Sequence, residues 1–372
     1  MKSVVIVQRR LTHYRIQFLQ KLRETLWEDD IRLDLFHGVG TPQEAKKNDE
    51  AQLSWAEQLP TRYFLNGKLC WQPVHRYVRP ADLVIVTQEN ALLANYLLMF
   101  MPRKFKLAFW GHGGNMQSTN PNGLKERFKR WTTKQVDWWF AYSQVSAELV
   151  KKAGFPTGRI TVVNNAIDTS GLRQEYESVT RGEVETLRLS LGLGEGPVGI
   201  FLGSFHKHKR LDFLLAACDQ LRENVDDFSI ILIGDGQERE KVRQWSLARP
   251  WAVWAGPKFA RDKTIYLALA DVVLNPGATG LGMLDSFACE TPLITTDCRL
   301  HGPEIAYLEN GQNGVITADS ISDYVDNVVQ ILNQPYMLRH LQEGCCRSAQ
   351  QYTLENMTLC FALGIKQALT HT

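Results

Sequence analysis

The residues with the clearest chemical potential lie between positions 274 and 304 of the 372-residue chain. An apolar run ends at Leu274, a Pro276-Gly277 turn follows, and Gly280 and Gly282 open a stretch in which Leu281, Leu284, Phe287 and Ala288 share one helical face. Glycines entering a helix N-terminus leave backbone N–H groups open to a phosphate, and the helix dipole favours negative charge there. Asp285 falls about one turn into that helix, where a carboxylate can accept hydrogen bonds from two vicinal ribose hydroxyls. A plain tight turn followed by a solvated acid fits the same residues, and for this segment alone both readings stand.

Two more loops of the second half carry compatible chemistry. Gly203-Ser204-Phe205-His206-Lys207-His208-Lys209-Arg210 follows an apolar run, and its cations either neutralise a diphosphate or are simply solvated. Gly234-Asp235-Gly236 follows another run and permits close backbone approach. In the first half, Gly111-His112-Gly113-Gly114-Asn115 holds a sterically open histidine, suited to proton exchange near neutral pH or to a backbone hydrogen bond in a turn. Lipase oxyanion loops have a similar G-H-G-G string, but no G-x-S-x-G occurs, so a serine hydrolase is excluded. No two aspartates lie two residues apart, so a D-x-D metal site is absent. No G-x-G-x-x-G follows the first apolar run, which argues against a nicotinamide-dependent reductase.

These loops need a frame to position them. Strands are predicted at 3–7, 31–36, 83–87, 106–110, 138–142 and 160–163, alternating with helices at 14–26, 92–101, 124–134 and 146–153 and interrupted by an irregular Trp-containing region at 41–76. A second series places strands at 198–202, 229–233, 251–254, 272–274 and 293–295 between helices, with terminal helices from 320 onward. Such alternation predicts an α/β fold with parallel sheets covered on both faces. Residues 169–196 are polar, charged and glycine-containing, and read as a linker between domains 1–168 and 197–352, with a helix at about 353–372 packing back on the first. Ligands of such domains bind at the carboxyl ends of strands or in a cleft between domains, and every loop named above follows a strand.

Length at about 100–200 residues per domain agrees with two domains. The longest apolar stretch, 91–101, contains Asn95 and falls far short of the ~20 residues that cross a bilayer. Only a few apolar residues precede Arg9-Arg10, so the N-terminus reads as a strand and not a signal peptide. Seven cysteines without C-x-x-C spacing predict a reduced, cytoplasmic protein lacking structural zinc. The net charge of +2 conceals a split: residues 1–165 carry 24 Lys+Arg against 14 Asp+Glu, a balance of +10, and the remainder 18 against 26, a balance of -8. In the stretch 124–134, Leu124, Phe128 and Trp131 share a face while Lys125, Arg127, Lys129, Arg130 and Lys134 occupy the others. This helix either contacts an anionic membrane or a lipid-pyrophosphate acceptor, or packs its stripe on the core. The domain charge adds weight to peripheral contact at the inner face of the membrane. Nucleic acid is excluded as a partner, because no zinc-finger spacing or RNP-like motif accompanies the dispersed basic residues.

Six segments in order resemble family 4 retaining glycosyltransferases of the GT-B fold. Val162-Val163-Asn164-Asn165-Ala166-Ile167-Asp168 resembles the V-I-x-N-G-I-D segment, and residues 201–209 the V-G-R-L-x-x-x-K-G loop. Leu232-Ile233-Gly234-Asp235-Gly236 matches L-I-G-x-G, and Ala270-Asp271-Val272-Val273-Leu274-Asn275-Pro276 matches A-D-V-x-V-x-P. Residues 277–292 resemble E-G-F-G-L-x-x-x-E-A-x-A-x-G-x-P, and 302–314 the G-x-P-E-I to N-G ending. The resemblance implies two Rossmann-like βαβ domains facing each other across a cleft. It also implies a nucleoside-diphosphate sugar donor on the C-terminal domain and a glycan or lipid-linked acceptor hydroxyl on the N-terminal one.

By position, the resemblance assigns Lys209 to the donor diphosphate, Asp285 to the ribose, and Gly280, Leu281 and Gly282 to the phosphates. Gly203, Ser204, Lys207 and Gly234 join them at the donor, Lys258 and Phe259 line the base pocket, and His112 faces the donor sugar as a catalytic residue beside Lys209. The family's first glutamate is replaced by Gly277, its arginine by Ser204, and its N-terminal glycine loop by Arg9-Arg10-Leu11-Thr12-His13-Tyr14-Arg15. Arg9, Arg10, Tyr14 and Arg15 are therefore assigned to the acceptor side, with Lys207, Arg210 or Arg9 as stand-ins for the missing arginine. N-P-G before G-L, W-G-H-G and H-G-P-E-I-x-Y-L resemble a branch of bacterial surface-polysaccharide transferases making O-antigen, capsule or exopolysaccharide. Retention of configuration, no metal and no cofactor are the implied chemistry. A GT-B nucleotide-sugar epimerase and a non-catalytic nucleotide-sugar-binding protein are the alternatives.

Overall fold

A computed structural model describes residues 1–45, 49–114 and 123–371 of the chain; the side chains of Leu124 and Lys125 lie outside it, as does Asn115 of the histidine loop. The chain divides into two units, Met1–Asp168 with Leu354–Thr372, and Thr169–Thr353.

The first unit is built on runs such as Val4-Val5-Ile6-Val7, apolar at every position because helices cover both faces of a parallel sheet. Seven strands lie in the order Ala56–Gln58, Ile31–His37, Lys2–Gln8, Leu83–Thr87, Lys106–Gly111, Trp138–Ala141, Ile160–Val162, all parallel. The C-terminal helix Leu354–Thr370 belongs to this unit, with Phe361 stacked on Phe140 at 4.4 Å and edge-on to Trp110 at 5.0 Å. Region 41–76 is less irregular than its sequence suggests. Ala56–Gln58 extends the sheet edge, and Arg62–Phe64 pairs antiparallel with Leu69–Trp71. Three-residue strands are too short to display a period of two, so their pattern leaves no trace in the sequence.

The second unit has six parallel strands ordered Ala252–Gly256, Ser229–Ile233, Val198–Leu202, Val272–Leu274, Leu293–Thr296, Gly314–Thr317. This is the doubly wound order in which the chain reverses direction between strands Val198–Leu202 and Val272–Leu274, leaving a crevice at their carboxyl ends. Gly314–Thr317, absent from the predicted strands, forms the far edge. The core is dominated by Phe201, Leu214, Leu221, Phe228, Leu232 and Ile294.

Residues 169–196 are a correction to the sequence reading. They are not a bare linker but hold two helices, Ser170–Glu177 and Arg181–Ser190, the second opened by a Thr180–Glu183 capping box. Both pack on the helix Ala260–Leu269, where Thr264 Oγ1 donates to Glu175 at 3.0 Å and Arg261 pairs with Glu183 at 2.6 Å. Their polar composition reflects helices with a wide solvent face.

Candidate active site

In the second unit three loops meet at the carboxyl ends of Val198–Leu202, Ser229–Ile233 and Val272–Leu274. Their glycines are there because backbone meets backbone. A Cβ on Gly234, at φ 145°, would stand 1.8 Å from the Gly203 carbonyl oxygen, and one on Gly236 2.6 Å from that of Phe205. The Gly203 N–H donates to the Ile233 carbonyl at 3.0 Å and the Phe205 N–H to that of Asp235 at 2.8 Å. Gly277 is equally constrained: its Cβ would fall 2.4 Å from the Lys209 carbonyl carbon and 2.5 Å from the His208 oxygen. The adjoining Ala278 N–H donates to that His208 oxygen at 2.8 Å. The loop that carries Lys209 is thus seated on a residue that cannot bear a side chain.

Lys209 folds back over Gly203, and its ammonium donates to the Ala278 carbonyl oxygen at 2.5 Å. Among the described residues no carboxylate pairs with it. Burial without a counter-charge pushes the amine down to about 8. Lys209, Asn275, Thr279, Gly280, Gly282 and Asp285 line one cavity of about 40 Å³. Gly280 and Gly282 would meet nothing within 4 Å if given a Cβ, so backbone is open to a ligand there. The helix that follows, Gly282–Ala288, is seven residues long, with Leu281 as its N-cap.

The turn preceding it is braced from His301. The Thr279 N–H donates to Nδ1 at 3.3 Å, and Nε2 lies 2.6 Å from the Thr296 carbonyl oxygen, so the proton sits on Nε2. Asp285 carries a partner that sequence reasoning missed, Lys263, whose ammonium is 3.0 Å from Oδ2. A lysine 22 positions away on another helix gives no local signal.

Other donor-side assignments diverge. Ser204 and Lys207 are exposed on their loop. Arg210 is occupied by the Pro276 carbonyl oxygen at 3.3 Å, Thr296 Oγ1 at 3.0 Å and Asp319, which makes it a structural brace. Lys258 lies over the Tyr266 ring at 5.3 Å, and Phe259 is 77% exposed; neither lines the Lys209 cavity.

In the first unit, His112 sits exposed after strand Lys106–Gly111 with its ring 4.7 Å from that of Tyr142. Arg9 is gripped by Glu44, at 2.6 and 2.8 Å, by Glu89 at 2.9 Å and by Tyr63 Oη at 3.1 Å. The guanidinium holds the Glu44 carboxyl down at about 2. These four side chains line a cavity of about 860 Å³. Arg10 pairs with Asp49 at 2.6 and 3.0 Å. Tyr14 is 41% exposed, whereas Arg15 is 5% exposed, donating to Asn165 Oδ1 at 2.7 Å and lying 4.5 Å from the Trp110 ring centre. Arg15 is therefore interior, a correction to its assignment on a ligand surface. The apolar stripe of the helix Leu124–Thr133 is only partly covered at the two positions whose side chains are described, with Phe128 5.8 Å from the Tyr96 ring. Phe128 and Trp131 are 44% and 45% exposed, and Trp131 stacks on the exposed Phe100 at 5.4 Å.

Among the described residues no three His, Cys, Asp or Glu side chains gather as a metal-holding group, and no helix is long and apolar enough to cross a membrane.

Residues 196–334 match the family model Glycosyl transferases group 1. D-inositol 3-phosphate glycosyltransferase 2 of Catenulispora acidiphila is 24% identical over 225 residues, covering 56% of this chain and 51% of that protein. The chain spans about half the length of the curated relative it matches. Among solved structures, HepE of Anabaena in complex with UDP is similar at a TM-score of 0.73 and 16% identity, over 98% of this chain and 100% of that one. The lipopolysaccharide outer core galactosyltransferase WaaB gives 0.70 and 16%, over 98% and 99%. The crevice around Lys209 and Asp285 thus lies within the segment that matches the group 1 glycosyltransferase model, carried by a chain of the GT-B fold with two Rossmann-like α/β units.

Proposed function

We propose that this protein is a retaining glycosyltransferase that moves a sugar from a nucleoside diphosphate, with UDP the favoured nucleotide, to a hydroxyl of a glycan or lipid-linked acceptor in surface-polysaccharide synthesis. One observation carries the reading: Lys209 is a half-buried ammonium with no carboxylate partner among the described residues, beside the open backbone of Gly280 and Gly282. A cation desolvated without a counter-charge is a site waiting for an anion. The solved complex of HepE with UDP supports the choice of nucleotide.

In the proposed reaction the bond between the anomeric carbon and the diphosphate breaks, and the electron pair leaves with the phosphate oxygen. Lys209 stabilises that developing charge, with backbone N–H groups around Gly280 to Gly282 adding directed donors. This is the electrostatic work that Mg²⁺ does elsewhere, so transfer is expected to persist in EDTA. The acceptor oxygen forms the new bond on the face the diphosphate leaves, and its proton passes to the departing phosphate. Asp285 holds the ribose. His112 faces the sugar, and the cavity around Arg9, Glu44 and Glu89 takes the acceptor. The exposed Phe100, Phe128 and Trp131 beside Arg127 and Arg130 favour work at the inner face of a membrane.

A thermal-shift series with UDP, GDP, ADP and dTDP tests the nucleotide, because a ligand that binds the native state raises its melting temperature. UDP is expected to give the largest shift, and Lys209→Ala and Asp285→Ala to abolish it and sugar transfer together. An inverted anomer in the product refutes the retaining assignment.

A further inference from the structure

Lys263 takes no part in the reading above. It stands on the helix Ala260–Leu269, one turn before Leu267, which lines the Lys209 cavity. Residues four apart share a helix face, so Lys263 projects toward the same cavity edge. Its ammonium lies 3.0 Å from Asp285 Oδ2, and the two side chains are only 21% and 17% exposed. Beyond this ion pair neither carboxylate oxygen of Asp285 accepts a hydrogen bond among the described residues, so the group keeps acceptor capacity for a ligand.

Two physical consequences follow. First, an aspartate is one methylene shorter than a glutamate, so its reach is set by where the helix Gly282–Ala288 puts its Cα, and a fixed partner on a second helix pins its orientation. Second, an aspartate ion-paired through Oδ2 keeps acceptor capacity for a ligand, while an ammonium has three donors and can give one to a ribose oxygen.

Resting on the donor-binding reading, we infer that Lys263 is a positioning residue for the nucleoside. It holds Asp285 so that the pair reads the ribose diol, and the site requires a ribonucleotide where a 2'-deoxyribonucleotide binds poorly. Removing a hydrogen bond to a charged group weakens binding by about ten- to a hundredfold.

Isothermal titration of the full chain with UDP, 2'-deoxy-UDP and inorganic pyrophosphate distinguishes the terms, because pyrophosphate engages the phosphate loop but has no ribose. The wild type is expected to favour UDP over its 2'-deoxy analogue. Lys263→Met is expected to lose about ten- to a hundredfold in UDP affinity, to lose that preference, and to bind pyrophosphate as the wild type does. Lys263→Arg, which keeps the charge, restores most of the UDP affinity. The inference is overturned if Lys263→Met binds UDP unchanged, or if UDP and pyrophosphate affinity fall together, since a merely structural lysine would act on both. A wild type that binds pyrophosphate but no nucleotide overturns the donor reading itself, and the inference with it.

Discussion

Raising the pH through 8 should weaken the proposed nucleotide binding by discharging a single lysine. Burial lowers Lys209 from 10.5 to about 8. At 1.36 kcal/mol per pKa unit, the fold holds about 3 kcal/mol against the ammonium. A bound diphosphate supplies the missing counter-charge and raises the amine toward its ordinary value. The sign follows: affinity is fully present below the free-state value, where Lys209 already carries its proton, and declines as pH rises through 8, where each binding event must take up a proton. At pH 9 about one-tenth of the free protein is charged at this position, so UDP affinity should fall roughly tenfold between pH 7.5 and 9. The phosphates of UDP, titrating near ~6, contribute little in this window.

Calorimetry in two buffers of different protonation enthalpy, at pH 7.5, 8.3 and 9, reads both the affinity and the proton uptake. Lys209→Arg stays charged throughout and should flatten the profile, and Lys209→Met should bind weakly at every pH. An unchanged Kd from pH 7.5 to 9, or the same decline in Lys209→Met, would refute the assignment of the anion site to this lysine.

Other perturbations test the remaining parts of the structure. Gly277→Ala places a methyl group 2.4–2.5 Å from the backbone of His208 and Lys209, so it should lower stability by about 1–3 kcal/mol in urea unfolding and weaken UDP binding at least tenfold; Gly277→Glu, which supplies the acid typical of the resembled family, should be worse, not better. Arg15→Met removes an interior guanidinium from Asn165, Tyr142 and Trp110, and should cost about 2–4 kcal/mol by denaturant titration while leaving UDP affinity within twofold. Phe128→Ser with Trp131→Ser should reduce co-sedimentation with vesicles rich in phosphatidylglycerol, and wild-type binding should weaken as salt is raised; no binding by the wild type at low salt removes the membrane assignment.

What could be read in advance follows the range of the interaction. The alternation of Val4-Val5-Ile6-Val7, Leu83-Val84-Ile85-Val86 and Ser229-Ile230-Ile231-Leu232 with amphipathic stretches is a local pattern, and it sufficed for parallel sheets and for loops at their carboxyl ends. The glycine-rich turn and the helix after it were legible for the same reason, since Gly280, Gly282 and Asp285 lie within six residues of each other. The hairpin Arg62–Phe64 with Leu69–Trp71 was not, because so short a strand owes its pairing to its neighbours.

Partner choice is the part that only the tertiary structure decided. By type and position Arg9, Arg10 and Arg15 form one basic run, yet folding sends the first to Glu44 and Glu89, the second to Asp49 and the third into the interior against Asn165. Gly277 looks like the loss of an acid until the backbone of His208 and Lys209 is found pressed against it. Asp285 reads as a ribose ligand from its place in a motif, but Lys263, which pairs with it, comes from a different helix. The sequence by itself determined which residue types stand at each strand end; the fold alone determined which charges cancel, because pairing depends on distances of about 3 Å between groups tens of residues apart. That physical difference is why Lys209 can be recognised as an unpaired ammonium only in three dimensions.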